Sequence, residues 1–269
     1  MPLYALRIFS TAGLLFFDPS LFQDAENSYD FNDHLKLPRP SGVRDHHGTR
    51  CAGQVAARRN NVCGVGIAYD SKAAGIRILG GRITTVDEAS ALTYGYDKVG
   101  IYSCSWGPKD NGETMSAPHY LIKKAFLEGI NNGREGKGSI YVFASGNGGR
   151  YEDQCNFDGY TNSIYSVTVG AVDHTGLHPT YSEACAANMI VAYSSGSGKH
   201  IVRIIHRRLV SLATLITFGR LLRIEGKTSA LIHMEEPLPL HPMLSVFLRL
   251  LCRHGQSLCP MFCGRFLKV

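Results

Sequence analysis

Between residues 47 and 194 the chain alternates short apolar runs with segments of helical spacing, and this alternation limits its possible folds more than any other feature. Gly75–Leu79, Gly100–Cys104, Ser139–Ala144, Ser166–Val172 and Met189–Tyr193 read as strands bounded by turn residues. Val86–Lys98 and Pro118–Asn131 space their apolar residues as helices do. The pattern predicts a doubly wound α/β domain with a mostly parallel sheet covered on both faces. In such sheets ligands meet the carboxyl ends of the strands. The segments that carry chemistry are therefore expected to be Ser105–Gly112 (SWGPKDNG) and Ser145–Gly149 (SGNGG).

Charge divides the 269 residues unevenly. Residues 1–200 hold 18 Lys and Arg against 19 Asp and Glu, whereas residues 201–269 hold 10 against 3 and contain no Asp. The formal charge of +6 thus belongs to the last quarter, and a nucleic-acid-binding face on the folded part is excluded. With 44% hydrophobic residues, 29 Gly and 11 Pro, the chain is neither disordered, collagen-like nor a coiled coil. No run reaches the ~18 apolar residues that span a bilayer. Ile201–Leu222 comes nearest but carries Arg203, His206, Arg207, Arg208 and Arg220. Met1–Phe17 is apolar apart from Arg7 and has no clear small-residue cleavage site, so it reads as a poor secretory signal. The eight Cys exceed ordinary cytosolic usage.

Two residues stand out chemically. His47 precedes Gly-Thr and further small residues, which suits a helix start packed tightly on a sheet, where an imidazole can act as a general base. A capping or solvent-facing histidine fits the same pattern, and His46 reads that way. Asn147, on a Gly-rich turn after an apolar run, can direct its amide at a developing oxyanion, a contribution of roughly 3 kcal/mol in such sites. A turn asparagine in left-handed conformation reads equally well.

In combination the segments are far more specific. Asp45–Gly53 (DHHGTRCAG), Gly75–Leu79 (GIRIL), Ile101–Gly112 (IYSCSWGPKDNG), Tyr141–Gly149 (YVFASGNGG), Cys155–Val172 (CNFDGYTNSIYSVTVGAV) and Tyr181–Cys185 (YSEAC) follow in order. They closely resemble the catalytic domain of the fungal, kexin-type subtilisin-like proprotein convertases, over about Asn27–Ile201. The resemblance implies a subtilisin-like α/β fold and a calcium-dependent serine endopeptidase that cuts precursor proteins after paired basic residues. It matches His47 to the catalytic base and Asn147 to the oxyanion donor. Asp110 and Asp158 match the pocket for the arginine preceding the cut, and a guanidinium is well held by paired carboxylates in a partly desolvated pocket. Asp45 and Glu88 fall at acidic contacts to residues further upstream. Asp110, Asp153 and Glu183 match a calcium site, whose all-oxygen shell suits that hard cation. Asn61 falls in the loop of a second calcium site. Cys155 and Cys185 match a family disulfide, and Cys63 the partner of a cysteine preceding the nucleophile. The implied setting is the lumenal side of the late Golgi membrane, with membrane anchoring expected only in the intact family member.

The sequence departs from this pattern at both ends. No strand ending in Asp-Asp-Gly, whose first Asp orients the catalytic His, precedes Tyr29, and Asp18 stands in the wrong context. The nucleophile motif Gly-Thr-Ser-Ala-Ala-Ala-Pro is also absent, and Ser194, Ser195 and Ser197 lie well before its place. Without the serine there is no acyl-enzyme route. Codons for His233–Pro242, reread from each third base, can spell His-Gly-Gly-Thr-Ser-Ala-Ala-Ala-Pro. Residues 201–269 are accordingly expected to be out-of-frame translation, behind a partial catalytic domain (27–200) and an atypical first segment (1–26). Loss of the opening strand and of the nucleophile helix is expected to leave the sheet incomplete and uncovered on one side. Two other functions fit: a pseudoprotease that binds dibasic peptides through Asp110, Asp158 and Glu88 without turnover, and a membrane-surface protein acting through the basic amphipathic stretch 201–223.

Overall fold

A computed structural model describes residues 5–10, 22–41, 47–59 and 65–199. Asp18, Asp45, His46, Asn61, Cys63 and everything from residue 200 onward lie outside the described residues. The strands are β1 (Ala5–Ser10), β2 (Phe22–Gln23), β3 (Tyr29–Asp30), β4 (Lys72–Arg77), β5 (Val99–Cys104), β6 (Ile140–Ala144), β7 (Ser166–Val172) and β8 (Asn188–Tyr193). The helices are α1 (His47–Ala56), α2 (Thr85–Thr93) and α3 (Tyr120–Gly136). The order across the sheet is β2-β4-β1-β5-β6-β7-β8, with β3 also on the outer edge of β4. Every strand pairing is parallel.

Successive side chains of a strand face opposite sides, and here each side has its own core. Ile101, Val142, Val169 and Ala192 pack with Cys51, Ala52, Val55 and Ala56 of α1. Tyr102, Cys104, Tyr141 and Phe143 pack with Leu92 of α2 and Ile122 and Phe126 of α3. This two-sided burial explains why β5 is buried at all six positions and reads as a continuous apolar run. Helix α3 approaches β6 at Gly129, where a Cβ would lie 1.9 Å from the Tyr141 hydroxyl oxygen. That hydroxyl reaches past α3 to donate to Leu92 O at 2.8 Å, tying the end of α2 to the sheet.

The sheet differs from expectation at its centre. The position between β4 and β5 is filled by β1, with Leu6 opposite Ala73 on one side and Ile101 on the other. The expected loss of a core strand is thereby corrected: the backbone ladder needs only an extended segment of adequate length, and Ala5–Ser10 supplies one. Three boundaries also move by three residues or more. β4 begins three residues before the expected run Gly75–Leu79, on Lys72 and the small residues Ala73 and Ala74. α2 stops at Thr93 and is followed by Gly95 at φ 57°. α3 runs to Gly136 but loses helical angles at Gly133, Arg134 and Glu135.

The carboxyl end of β4 carries a buried ionic cluster. Arg77, 2% exposed, donates through Nη1 to both carboxylate oxygens of Asp30 (3.2 and 3.0 Å) and to Asp33 Oδ2 (2.8 Å). Its Nη2 donates to Ser41 Oγ at 2.7 Å. The cluster fastens β3 and the turn after it to the sheet, and Asp30 further accepts from the backbone N–H of Asn32 and Asp33.

Candidate active site

In a right-handed parallel sheet the strand-to-helix loops gather at the carboxyl edge. The loops after β5 and β6 meet there around a cleft that Asp110, Ser145, Asp153, Asp158 and Glu183 help to line. Backbone donors hold each acid. Asp110 Oδ2 accepts from Asn147 N at 2.8 Å, and Glu183 Oε1 from Gly148 N at 2.9 Å. Asp153 accepts from Gly112 N and Gln154 N, both at 2.9 Å, and Asp158 Oδ1 from Tyr160 N at 2.7 Å. Gly146 makes this possible. Its φ is 110°, and a Cβ there would sit 2.2 Å from Glu183 Oε1, so glycine alone lets the loop approach the carboxylate.

Burial, with help from neighbouring charge, raises three carboxyls of the cleft. Burial pushes Glu183 up to about 7, against the Gly148 N–H bond and with the charges of Asp110, Asp153 and Asp158 adding to the rise. Asp158 is raised to about 6, again mainly by burial, with the Tyr160 and Thr161 N–H bonds opposing and Asp110 adding. Burial also raises Asp110, opposed by the Asn147 backbone N–H and helped by Asp153. Lys109 lines the same cleft, yet among the described residues no Lys or Arg is ion-paired with any of the four acids.

A disulfide joins Cys155 to Cys185, Cα to Cα 5.4 Å, across 30 residues. It binds the segment carrying Asp153 and Asp158 to the one carrying Glu183. Beyond Asp158, Tyr160 packs against Trp106 (ring centroids 4.9 Å apart) and stacks on Phe143 (5.6 Å). The Tyr160 hydroxyl donates to Glu88 Oε1 on α2. Burial raises the Glu88 carboxyl, opposed by that hydroxyl. A capping box at Thr84 and Asp87 fixes the start of α2 and hence Glu88 one residue on.

His47 is the first residue of α1, half-buried, with its ring nitrogens 3.9 and 4.0 Å from Cys51 Sγ one turn later. Since α1 enters from the carboxyl edge, His47 shares that edge with the acidic cleft. Asn147 follows β6 by three residues. Its backbone and side chain both favour the charged form of Asp110, and its Oδ1 is buried with no hydrogen-bond partner among the described residues. The structure therefore gathers Asp110, Asp153, Asp158, Glu183 and Asn147 directly, and connects Glu88 through Tyr160. β1 ends at Ser10 and is followed in sequence by Thr11-Ala12-Gly13, which contains no acid.

The Subtilase family model (Peptidase_S8) matches residues 13–210. The chain belongs to the subtilase family. Among curated proteins this subtilase is 63% identical over 176 residues to Protease KEX1 of Kluyveromyces lactis, covering 65% of this chain and 23% of that protein. It is 61% identical over 178 residues to Kexin of Saccharomyces cerevisiae, covering 66% and 22%. The dibasic-processing endoprotease of Schizosaccharomyces pombe matches over 203 residues at 54% identity, covering 76% and 27%. Within its family the chain is thus kexin-like, and it spans about a quarter of the length of these relatives. Two solved structures share the fold. The serine protease of Aeromonas sobria has a TM-score of 0.65 at 19% identity, covering 75% of this chain and 37% of its own. The nisin leader peptidase NisP of Lactococcus lactis has a TM-score of 0.59 at 18% identity, covering 95% and 79%.

Sequence reasoning passed over two residues of this subtilase site. Tyr160 lies within the CNFDGY segment, but its link to Glu88 crosses 72 positions and carries no local signal. Ser145 lies in the SGNGG turn and lines the cleft beside the acids.

Proposed function

We propose that this domain recognises peptides bearing paired basic residues, through the acidic cleft at the carboxyl ends of β5 and β6. The observation that carries the reading is the convergence of Asp110, Asp153, Asp158 and Glu183 on one cleft without a Lys or Arg ion-paired to any of them among the described residues. Such a cleft is stabilised by cationic occupants and costs free energy when fully ionised alone. A guanidinium matches Asp110 and Asp158 through charge-assisted hydrogen bonds. Glu88, and Asp45 outside the described residues, would face the basic residue further upstream. The dibasic-processing relatives support this class of substrate.

Calcium belongs to the same reading. Asp110, Asp153 and Glu183 offer carboxylate oxygens of the kind a hard cation takes, although among the described residues no three acidic, His or Cys side chains lie close enough together to hold an ion as they stand. These three would hold the ion, which supplies positive charge against the crowded carboxylates. The Cys155–Cys185 disulfide favours an oxidising compartment, in keeping with a late secretory location.

In an intact domain of this kind a serine hydroxyl attacks the carbonyl after the arginine, His47 accepts and returns the proton, and Asn147 donates to the oxyanion. The present sequence contains no Gly-Thr-Ser-Ala-Ala-Ala-Pro motif, so we assign it recognition without turnover. A fluorogenic peptide ending in Lys-Arg tests this. The chain should release no fluorophore above the buffer rate, and His47→Ala should change nothing. Hydrolysis that His47→Ala abolishes would overturn the assignment of recognition without turnover.

A further inference from the structure

β8 is the last strand in the sheet order and, among the described residues, pairs only with β7. One face of it is closed, since Ile190 and Ala192 pack with the core of α1. The other face is open. Met189, Val191 and Tyr193 point to the side of the sheet where α2 and α3 lie, yet they are 68%, 47% and 65% exposed, so neither helix covers them.

The backbone is open along the same residues. Ser194 N–H donates to Val172 O at 2.7 Å, so by alternation Ala192 and Ile190 turn their N–H and C=O towards β7. Val191 and Tyr193 therefore turn theirs to the outer edge. Edges of natural sheets are blunted by Lys, Pro or a bulge. A register shift beside Met189 interrupts the start of β8, but Ile190–Tyr193 then runs unbroken against Val169–Val172, and Asn188–Tyr193 contains neither Lys nor Pro.

Charge indicates what can cover this edge. From Ala184 to Gly198 the chain holds no Asp, Glu, Lys, Arg or His, so a charged partner finds nothing to pair with. A twofold contact sets each residue near its own copy, which like charges oppose and an uncharged strand permits. The strand is also self-complementary. Laid antiparallel on its own copy with Val191 on the axis, it sets Val191 against Val191 and Tyr193 against Met189. The outward N–H and C=O groups of Val191 then exchange hydrogen bonds, and the exposed apolar side chains of each copy cover those of the other.

We propose that the outer edge of β8 is a docking surface for a second copy of this chain, joined antiparallel through Val191 into one continuous sheet. One strand pair buries far less than the ~1,600 Å² of a standard stable complex, so the dimer is weak and depends on concentration. Sedimentation velocity on the full chain at about 1 and about 100 µM tests it, and the mass should rise from one chain towards two. Val191→Lys sets two ammonium groups opposite each other and should raise the dissociation constant at least about tenfold, whereas Val191→Ile should preserve association. Independently of any variant, hydrogen exchange at the Val191 and Tyr193 amides should slow at the higher concentration. Association that Val191→Lys leaves intact overturns the proposal. A monomer at both concentrations also overturns it, and slow exchange at Val191 in that monomer would assign the edge to residues 200–269 of the same chain.

Discussion

Arg77→Ala is expected to lower the stability of the domain by about 3–5 kcal/mol, as removal of one partner from a buried ion pair does. Arg77 and Asp30 are 2% and 1% exposed, so truncating the arginine leaves a carboxylate in the interior with its cation gone. Two backbone N–H groups, from Asn32 and Asp33, still reach Asp30 Oδ1 and cannot replace a full charge. The loss is large beside the roughly 5–15 kcal/mol that separates a folded domain from its unfolded chain. Asp33 supplies the contrast. It is 56% exposed and bonds the same guanidinium at 2.8 Å, so Asp33→Asn should cost no more than about 1 kcal/mol. Urea unfolding followed by tryptophan fluorescence separates the two through Trp106, which packs in the core of the α2–α3 face. Equal midpoints for the two variants would show that Arg77 does not anchor β3 to β4.

The second large effect concerns pH. Glu183 is held at about 7 in the fold against an ordinary 4.5, and Asp158 at about 6 against 3.8. Between the ordinary and raised values the folded chain binds more protons than the unfolded chain, so stability falls as pH rises through that window. The contribution is intact below about pH 4 and fully lost above about pH 7 to 8, with a cost of the order of 3 kcal/mol for these coupled groups. In chelator, the melting temperature should drop by about 5–10 °C between pH 5.5 and pH 8. Glu183→Gln should flatten that drop, because a neutral amide has nothing to titrate. Millimolar calcium at pH 8 should restore the lost stability in the unmodified chain and not in the variant. A melting temperature as pH-dependent in Glu183→Gln as in the unmodified chain would contradict the electrostatic account of the cleft.

Much of this could be read in the sequence, and what could not has physical causes. β5, β6 and β7 are short apolar runs because helices cover both faces of the sheet, and such runs betray themselves without any partner in view. β4 starts ahead of the expected run because its first half is Lys72-Ala73-Ala74, residues of low strand propensity that become a strand only between β1 and the β2–β3 edge. β1 itself is legible only in the ladder: Ala5–Ser10 stands beyond the alternating region, in the apolar stretch Met1–Phe17 that reads as a poor secretory signal. At the site, motif segments named the four acids and Asn147, since loops at strand ends keep their chemistry in local order. The Tyr160–Glu88 bond and the solitary Ser145 hydroxyl arise from contacts across the fold, and no spacing announces them.

We infer that charge is what lets the cleft select paired basic residues. Its most direct measurement is an anisotropy titration of a labelled peptide ending in Lys-Arg against the chain and against Asp158→Asn, with the same peptide ending in Ala-Ala as reference. Saturable binding of the dibasic peptide alone is expected, weakened at least about tenfold by the substitution, since it removes one partner of a charge-assisted pair. Equal binding of the Ala-Ala peptide, or dibasic binding indifferent to Asp158→Asn, would contradict it.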